Sequence, residues 1–186
     1  MLPETLQTSR FVLNRFSDAD AEDLFRHFST PTIVEHMDIA PLQTVEQAQE
    51  IIDWTKSIYQ DKTGIRWIIR THEESDFVGT CGFNQIVQER ASRAEIAYDL
   101  WLSYWGKGVL QEVMPAVLEI GFNDLSLRRI EAFVNPGNHR SCRTLERLGF
   151  QQEGILRDYA YWLGKYWDQR IFSLLASDWA KRSSQK

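Results

Sequence analysis

The succession of a strand, a glycine-bearing loop and a helix constrains this chain more than any other stretch. Ala94 to Leu102 has the pattern of a strand, and Tyr104-Trp105-Gly106-Lys107-Gly108-Val109 follows it. A helix-like segment then runs from about Lys107 to Phe122, before a second strand ending at Asn135. Glycines at such a junction let backbone N–H groups approach a phosphate closely, and a helix N-terminus adds partial positive charge. Gly-x-Gly alone is common punctuation. Its place between strand and helix reads as a phosphate-binding architecture.

The remaining pattern is readable around that junction. Arg10 to Phe16 reads as a first strand. Ser17-Asp18-Ala19-Asp20 opens a helix bearing Ala21, Leu24, Phe25 and Phe28, which Ser29-Thr30-Pro31 ends. Ile33 to Pro41 is expected to be an irregular connector, and Thr44-x-x-Gln47 a capping box for a longer helix with Ala48, Ile51, Ile52, Thr55 and Ile58 inward. Strands are expected at Arg66–Arg70 and Phe77–Val87, with Gly79 and Gly82 marking a bulge or tight packing. The glycine-loop helix carries Val109, Leu110, Val113, Val117, Leu118 and Phe122 on its apolar face, interrupted by Pro115. Arg129–Val134 is a strand, and Ser141–Leu148 a short helix closed by Gly149. Phe150–Asp158 and Gln169–Leu175 are strands joined through a turn at Gly164, and Ser183 to Lys186 a frayed end. The order β-α-α-β-β-β-α-β-α-β-β predicts one α+β domain over 1–186, with its core in 8–178, around a mixed, mostly antiparallel twisted sheet flanked by helices.

Bulk properties exclude several classes. With 43% hydrophobic and 25% charged residues the chain suits a soluble globular protein. A net charge of -5 offers no basic field for nucleic acid. Cys81 and Cys142 read as small buried residues, and four scattered histidines argue against a metal site. No apolar run suits a membrane span and the first residues lack a signal pattern, so a cytoplasmic protein is expected.

Several motifs in order resemble one family. They are Leu6 to Leu13 with Asp18-Ala19-Asp20, Phe77-Val78-Gly79-Thr80-Cys81-Gly82-Phe83, Ala94-Glu95-Ile96-Ala97-Tyr98, and Tyr104 to Gly108. Arg128-Arg129-Ile130-Glu131-Ala132, Asn135 to Ser141, Leu145 to Phe150 and Glu153-Gly154 complete the set. The chain resembles, nearly end to end, the GNAT superfamily of acetyl-CoA-dependent N-acetyltransferases. The resemblance is especially to the branch typified by ribosomal-protein alanine and serine N-acetyltransferases. Two departures stand out: Ser103 occupies the first position of the pyrophosphate loop, and the glutamate that this branch can carry near Ala160-Tyr161 is absent.

The resemblance implies the GNAT fold, acetyl-CoA as co-substrate, no metal, and direct attack by a primary amine in a ternary complex. It implies an α-amine at a protein N-terminus as acceptor, with a small-molecule amine or a catalytically inactive acyl-CoA sensor as alternatives, and a monomer or homodimer. Main-chain groups at Leu100, Trp101, Leu102, Trp105, Gly106, Lys107, Gly108, Val109 and Leu110 are expected to hold pantetheine and pyrophosphate. Asn135 and Asn138 are expected to contact coenzyme A through side-chain amides, although Asn-Pro-Gly-Asn also makes a turn. Arg140, Arg143 and Arg147 share one helix face; it is either a site for the 3′-phosphate or a solvated basic surface. Glu95 is the candidate general base, or a carboxylate paired with an arginine; strand alternation makes Asp99 a possible second carboxylate. Ser141 is the candidate proton donor to the departing thiolate, or a helix cap. The aromatics Tyr159, Tyr161, Trp162, Tyr166 and Trp167 read first as packing and second as acceptor contacts.

Overall fold

The structure is a computed structural model and describes residues 2–89 and 91–183. Strands β1 (Thr5–Gln7) and β2 (Phe11–Arg15) lead into helices α1 (Ala21–Phe28), α2 (Pro31–Val34) and α3 (Val45–Gln60). Strands β3 (Ile65–Thr71), β4 (Phe77–Val87) and β5 (Arg93–Leu100) follow, then α4 (Val109–Glu119), β6 (Arg129–Val134) and α5 (His139–Leu148). A hairpin of β7 (Gln151–Trp162) and β8 (Lys165–Leu175) precedes α6 (Ala176–Ser183). The sheet order is β1-β2-β3-β4-β5-β6-β8-β7, and all its pairs are antiparallel except β5 with β6. This is the α+β architecture the sequence predicts.

Helices cover both faces, so β3 is buried throughout its apolar run. Ile65, Trp67 and Ile69 join Val113, Met114, Val117, Leu118, Leu145 and Leu148 beneath α4 and α5. Ile68 faces the other way, toward Leu24, Phe28, Ala48 and Ile52 of α1 and α3. Each fully buried aliphatic side chain contributes roughly 1.5–3 kcal/mol. Thr44 and Gln47 form the capping box of α3, with Gln47 Oε1 taking the Gln43 and Thr44 N–H groups at 2.6 and 3.3 Å. Cys81 and Cys142 are buried free thiols. Among the described residues, no helix is long and apolar enough to cross a membrane.

The structure departs from the sequence reading at several boundaries. β1 is a three-residue edge strand defined by pairing with β2, and α2 interrupts the expected connector. β5 stops at Leu100, and α4 begins at Val109, because Gly106 and Gly108 hold left-handed backbone with φ of 73° each. The β7–β8 hairpin continues past Asp158 because a register shift between Leu156 and Ala160 absorbs its polar stretch, and Asp158 N–H donates to Asp168 Oδ1 at 2.9 Å. Tight approach explains Gly79: a Cβ there would lie 2.2 Å from the Asp99 carbonyl oxygen. α6 was not expected, and residues 184–186 of the frayed end lie outside the described residues.

One seam positions the site. β5 and β6 pair only at Arg93↔Arg129, Ala94↔Ile130 and Glu95↔Glu131, so beyond Glu95 the two strands run on unpaired with each other. The paired end is fastened by charge. Buried Glu131 takes Arg93 and, at 2.8 Å, Arg129; Arg129 then forks onto Glu153 at 2.7 and 2.6 Å. Hydrogen bonding to Glu153 raises the Arg129 pKa, and the same bond holds the Glu153 carboxyl down at about 2.

Candidate active site

A cleft of about 510 Å³ lies along the free end of β5. Tyr98, Asp99 and Leu100 line it, with Gly106 and Gly108 of the glycine loop, the first turn of α4, residues of α5, and Thr32, Ile33 and Glu35 to Met37 in and after α2. Its most distinctive wall is the loop. A Cβ at Gly106 would meet nothing within 4 Å, and one at Gly108 only Arg10 Nη2 at 3.9 Å. The backbone angle demands glycine here, and open space lies in front of it. No acceptor among the described residues takes the N–H of Gly106, Gly108, Val109, Leu110 or Gln111. These are the orphan donors of a helix start, directed at a cleft and suited to an anion.

Residues far away in sequence hold the loop in shape. Glu112 accepts from Thr8 Oγ1 at 2.7 Å, Ser9 Oγ at 3.0 Å, and Arg10 N and Nε at 2.8 and 2.6 Å. Both Arg10 Nη atoms donate to the Lys107 carbonyl at 3.3 Å. Burial alone would raise the Glu112 carboxyl, but the Thr8, Arg10 and Ser9 donors outweigh it and hold it at about 2.

Of the expected coenzyme residues, Leu100, Trp105, Gly106, Gly108, Val109, Leu110, Asn138, Ser141 and Arg143 line the cleft. Trp101, Leu102, Lys107 and Asn135 do not. The Trp101, Trp105 and Lys107 N–H groups are already spent on Val78, Leu102 and Tyr104 carbonyls. Trp101 turns its ring toward His27, Leu102 is exposed, and Asn135 is buried with Oδ1 accepting from Gly137 N–H at 2.9 Å. The turn reading of Asn135 therefore holds. Trp105 contributes its side chain instead, its indole N–H donating to Leu100 O at 2.8 Å. Arg140, Arg143, Thr144 and Arg147 line the cleft, with Arg140 stacked 4.1 Å over the Trp105 ring, so this basic face is turned toward the site.

Strand alternation separates the ionisable candidates. Ile96, Tyr98 and Leu100 pack against the α4/α5 layer, while Glu95, Ala97 and Asp99 alternate to the opposite face. Asp99 is fully engaged: its carboxylate takes His27 Nε2 at 2.7 Å, Thr80 Oγ1 at 2.7 Å and Arg66 Nη2 at 3.1 Å. Burial would raise Asp99, but His27, Arg66 and Thr80 together keep it below the usual carboxylate range. It ties α1 to the sheet. Glu95 differs. Among the described residues it has no ion pair, only Asn84 Nδ2 at 3.4 Å. Burial raises its pKa, and the Asp38 and Glu131 charges add to that. Glu95 does not line the cleft; it stands on the other face, at the last rung before the strands part.

Ser141 is not the cap of α5. Asn138 is, its Oδ1 accepting the Ser141 N–H at 3.1 Å, which leaves the serine hydroxyl free to face the cleft. Ser141 Oγ lies 2.9 Å from Tyr98 Oη, a partner whose position among apolar strand residues concealed it. The aromatic hairpin divides: Trp162 is buried and stacks on Trp167 at 4.9 Å, whereas Tyr159, Tyr161 and Tyr166 are exposed.

Comparison with known proteins bears on this geometry. A family model described as an acetyltransferase (GNAT) domain matches residues 10–151. The chain is 40% identical over 177 residues to "Uncharacterized N-acetyltransferase p20" of Bacillus licheniformis, covering 95% of this chain and 99% of that protein. It is 29% identical over 107 residues to the [Ribosomal protein uS5]-alanine N-acetyltransferase of Escherichia coli, covering 58% of this chain and 55% of that one. Among solved structures, Mycobacterium smegmatis RimJ in complex with CoA-disulfide superposes with a TM-score of 0.84 at 20% identity, over 97% of this chain and 93% of that one. The microcin C7 self-immunity acetyltransferase MccE, in complex with acetyl-CoA and AMP, gives 0.82 at 21%, over 94% and 97%. At those identities the likeness shows the fold.

Proposed function

The chain belongs to the GNAT family and is an N-acetyltransferase; from that premise we propose that it moves acetyl from acetyl-CoA to a primary amine by direct attack. The carrying observation is the set of unpartnered amides at Gly106 and from Gly108 to Gln111, which line a cleft together with the Ser141 hydroxyl while Glu95 stands on the other face of the parted seam. Those amides take the diphosphate, and the α5 arginines take the ribose phosphate. Pantetheine follows the unpaired edge of β5 toward the point where β6 diverges. Glu95 removes a proton from the amine, and the burial that raises its pKa makes it a better base. Ser141 faces the departing sulfur.

The leading acceptor is a protein N-terminal α-amine, supported by the family resemblance and by the ribosomal-protein relative. One observation favours a small polycationic amine as second reading. Glu35 lines the cleft, and Asp38 is near enough to act on Glu95, so the acceptor side carries negative charge. Release of free thiol from acetyl-CoA should be followed with Ala-first and Ser-first peptides beside free amino acids and polyamines. Preference for the peptides supports the first reading and preference for polyamines the second. Tight acetyl-CoA binding without turnover on any amine would leave a sensor.

A further inference from the structure

Ser141 and Tyr98 meet across the cleft wall, one from the start of α5 and the other from the unpaired end of β5. The phenolic oxygen is 2.9 Å from Ser141 Oγ and 3.3 Å from the Ser141 carbonyl oxygen. Ser141 Oγ has no other partner among the described residues, so its second valence is open to the cleft. Building on the acetyltransfer reading above, we propose that Tyr98 is a positioning residue. It donates to Ser141 Oγ and so turns the serine proton toward the departing sulfur; the pair stabilises a thiolate by hydrogen bonding without surrendering a proton to it.

Proton affinities support this division of labour. Phenols titrate near ~10 and thiols near ~8.5, and burial pushes Tyr98 higher still. An alkyl hydroxyl is a weaker acid than either, so a thiolate cannot strip the pair. Nor does it need to. The amine lone pair forms the C–N bond while the carbonyl π pair moves to oxygen. That pair returns as the C–S bond breaks, and sulfur leaves with the bonding electrons. The amine proton passes to the Glu95 carboxylate and then to water, and the sulfur takes a proton from water once released. What the pair supplies is a fixed donor where charge develops, and a donor that is itself hydrogen-bonded is polarised and stronger. A merely structural Tyr98 would tie β5 to α5 and leave turnover alone.

A double-mutant cycle separates the two. Wild type, Tyr98→Phe, Ser141→Ala and the double variant are assayed with acetyl-CoA and an Ala-first hexapeptide, or spermidine if the peptide is inert. Thermal melts run alongside. Tyr98→Phe should lower kcat about tenfold, with KM for acetyl-CoA and the melting temperature near wild type. Ser141→Ala should lower kcat roughly a hundredfold, and the double variant should match Ser141→Ala. Losses that multiply, or a Tyr98→Phe defect confined to KM, would overturn the proposal. If Tyr98→Phe fails to fold, 3,5-difluorotyrosine at 98 keeps the shape and strengthens the donor. It should raise kcat with Ser141 present and not in Ser141→Ala; no difference overturns the proposal. Multiplying losses in an active wild type leave the acetyltransfer reading standing, whereas a wild type inert with every amine overturns both.

Discussion

The two ends of the β5–β6 seam are made of the same kind of strand and do opposite things. At the paired end three rungs close the ladder, and Glu131 is bound between Arg93 and Arg129 with Glu153 behind. At the free end there is no rung. The β5 edge looks into a cleft whose opposite donors are also unpaired. Satisfied polar groups lock one end, and unsatisfied ones keep the other receptive. A buried backbone left without partners is costly, so the open end depends on the closed end to hold the strands at a fixed angle.

That contrast can be broken at four points. Glu95→Gln, at the boundary between the ends, should lower kcat by about three orders of magnitude while acetyl-CoA affinity stays near wild type. Because burial raises the Glu95 pKa, the acid limb of the wild-type rate profile should lie above the ordinary carboxylate value. A variant keeping both rate and limb would remove Glu95 from the chemistry. Gly108→Asp, at the open end, puts a carboxylate among the proposed diphosphate donors and should weaken acetyl-CoA binding about a hundredfold by calorimetry. Gly108→Asn tolerates the same backbone without the charge and should lose much less. Equal losses would point to backbone strain in place of phosphate contact.

Glu131→Gln tests the closed end. Its arginine partners are partly exposed, so the cost should be about 2 kcal/mol in denaturant unfolding. Coenzyme affinity measured well below the transition should barely change; a matching fall in affinity would show the ends to be one unit. The smallest effect comes from acid. Glu112 is held at about 2 against an unfolded value of 4.5, so its contribution is complete above pH 4.5 and is lost as pH falls toward 2. Glu112→Gln should flatten the stability curve across that window, by about 1 kcal/mol after allowance for solvent screening.

Much of this was legible in the residues. The Thr44–Gln47 capping box, the double-faced β3 and the glycine junction all declare themselves through local chemistry. Boundaries were less so. β1 exists only through its pairing with β2, and α2 is too short to show a period. The donors at the loop were half legible: glycine marked the place, but which amides are free depends on carbonyls such as Leu102 O and Tyr104 O, which sequence cannot aim. Tyr98 was hidden for a different reason. Alternation puts it with Ile96 and Leu100, where an aromatic reads as core, and its partner stands 43 residues away on α5. The partners of Asp99 were hidden because a carboxylate on a strand face carries no sign of the His27, Arg66 and Thr80 that occupy it.

Arg10 and Glu112 imply something about how this protein would tolerate trimming. The guanidinium that grips the Lys107 carbonyl is delivered just ahead of β2, so the glycine loop keeps its shape from a segment about a hundred residues upstream. A deletion from the amino end through Arg10 should therefore abolish acetyl-CoA recognition while far-ultraviolet circular dichroism still reports the helices and strands β2 to β8, β1 being lost with the deleted residues.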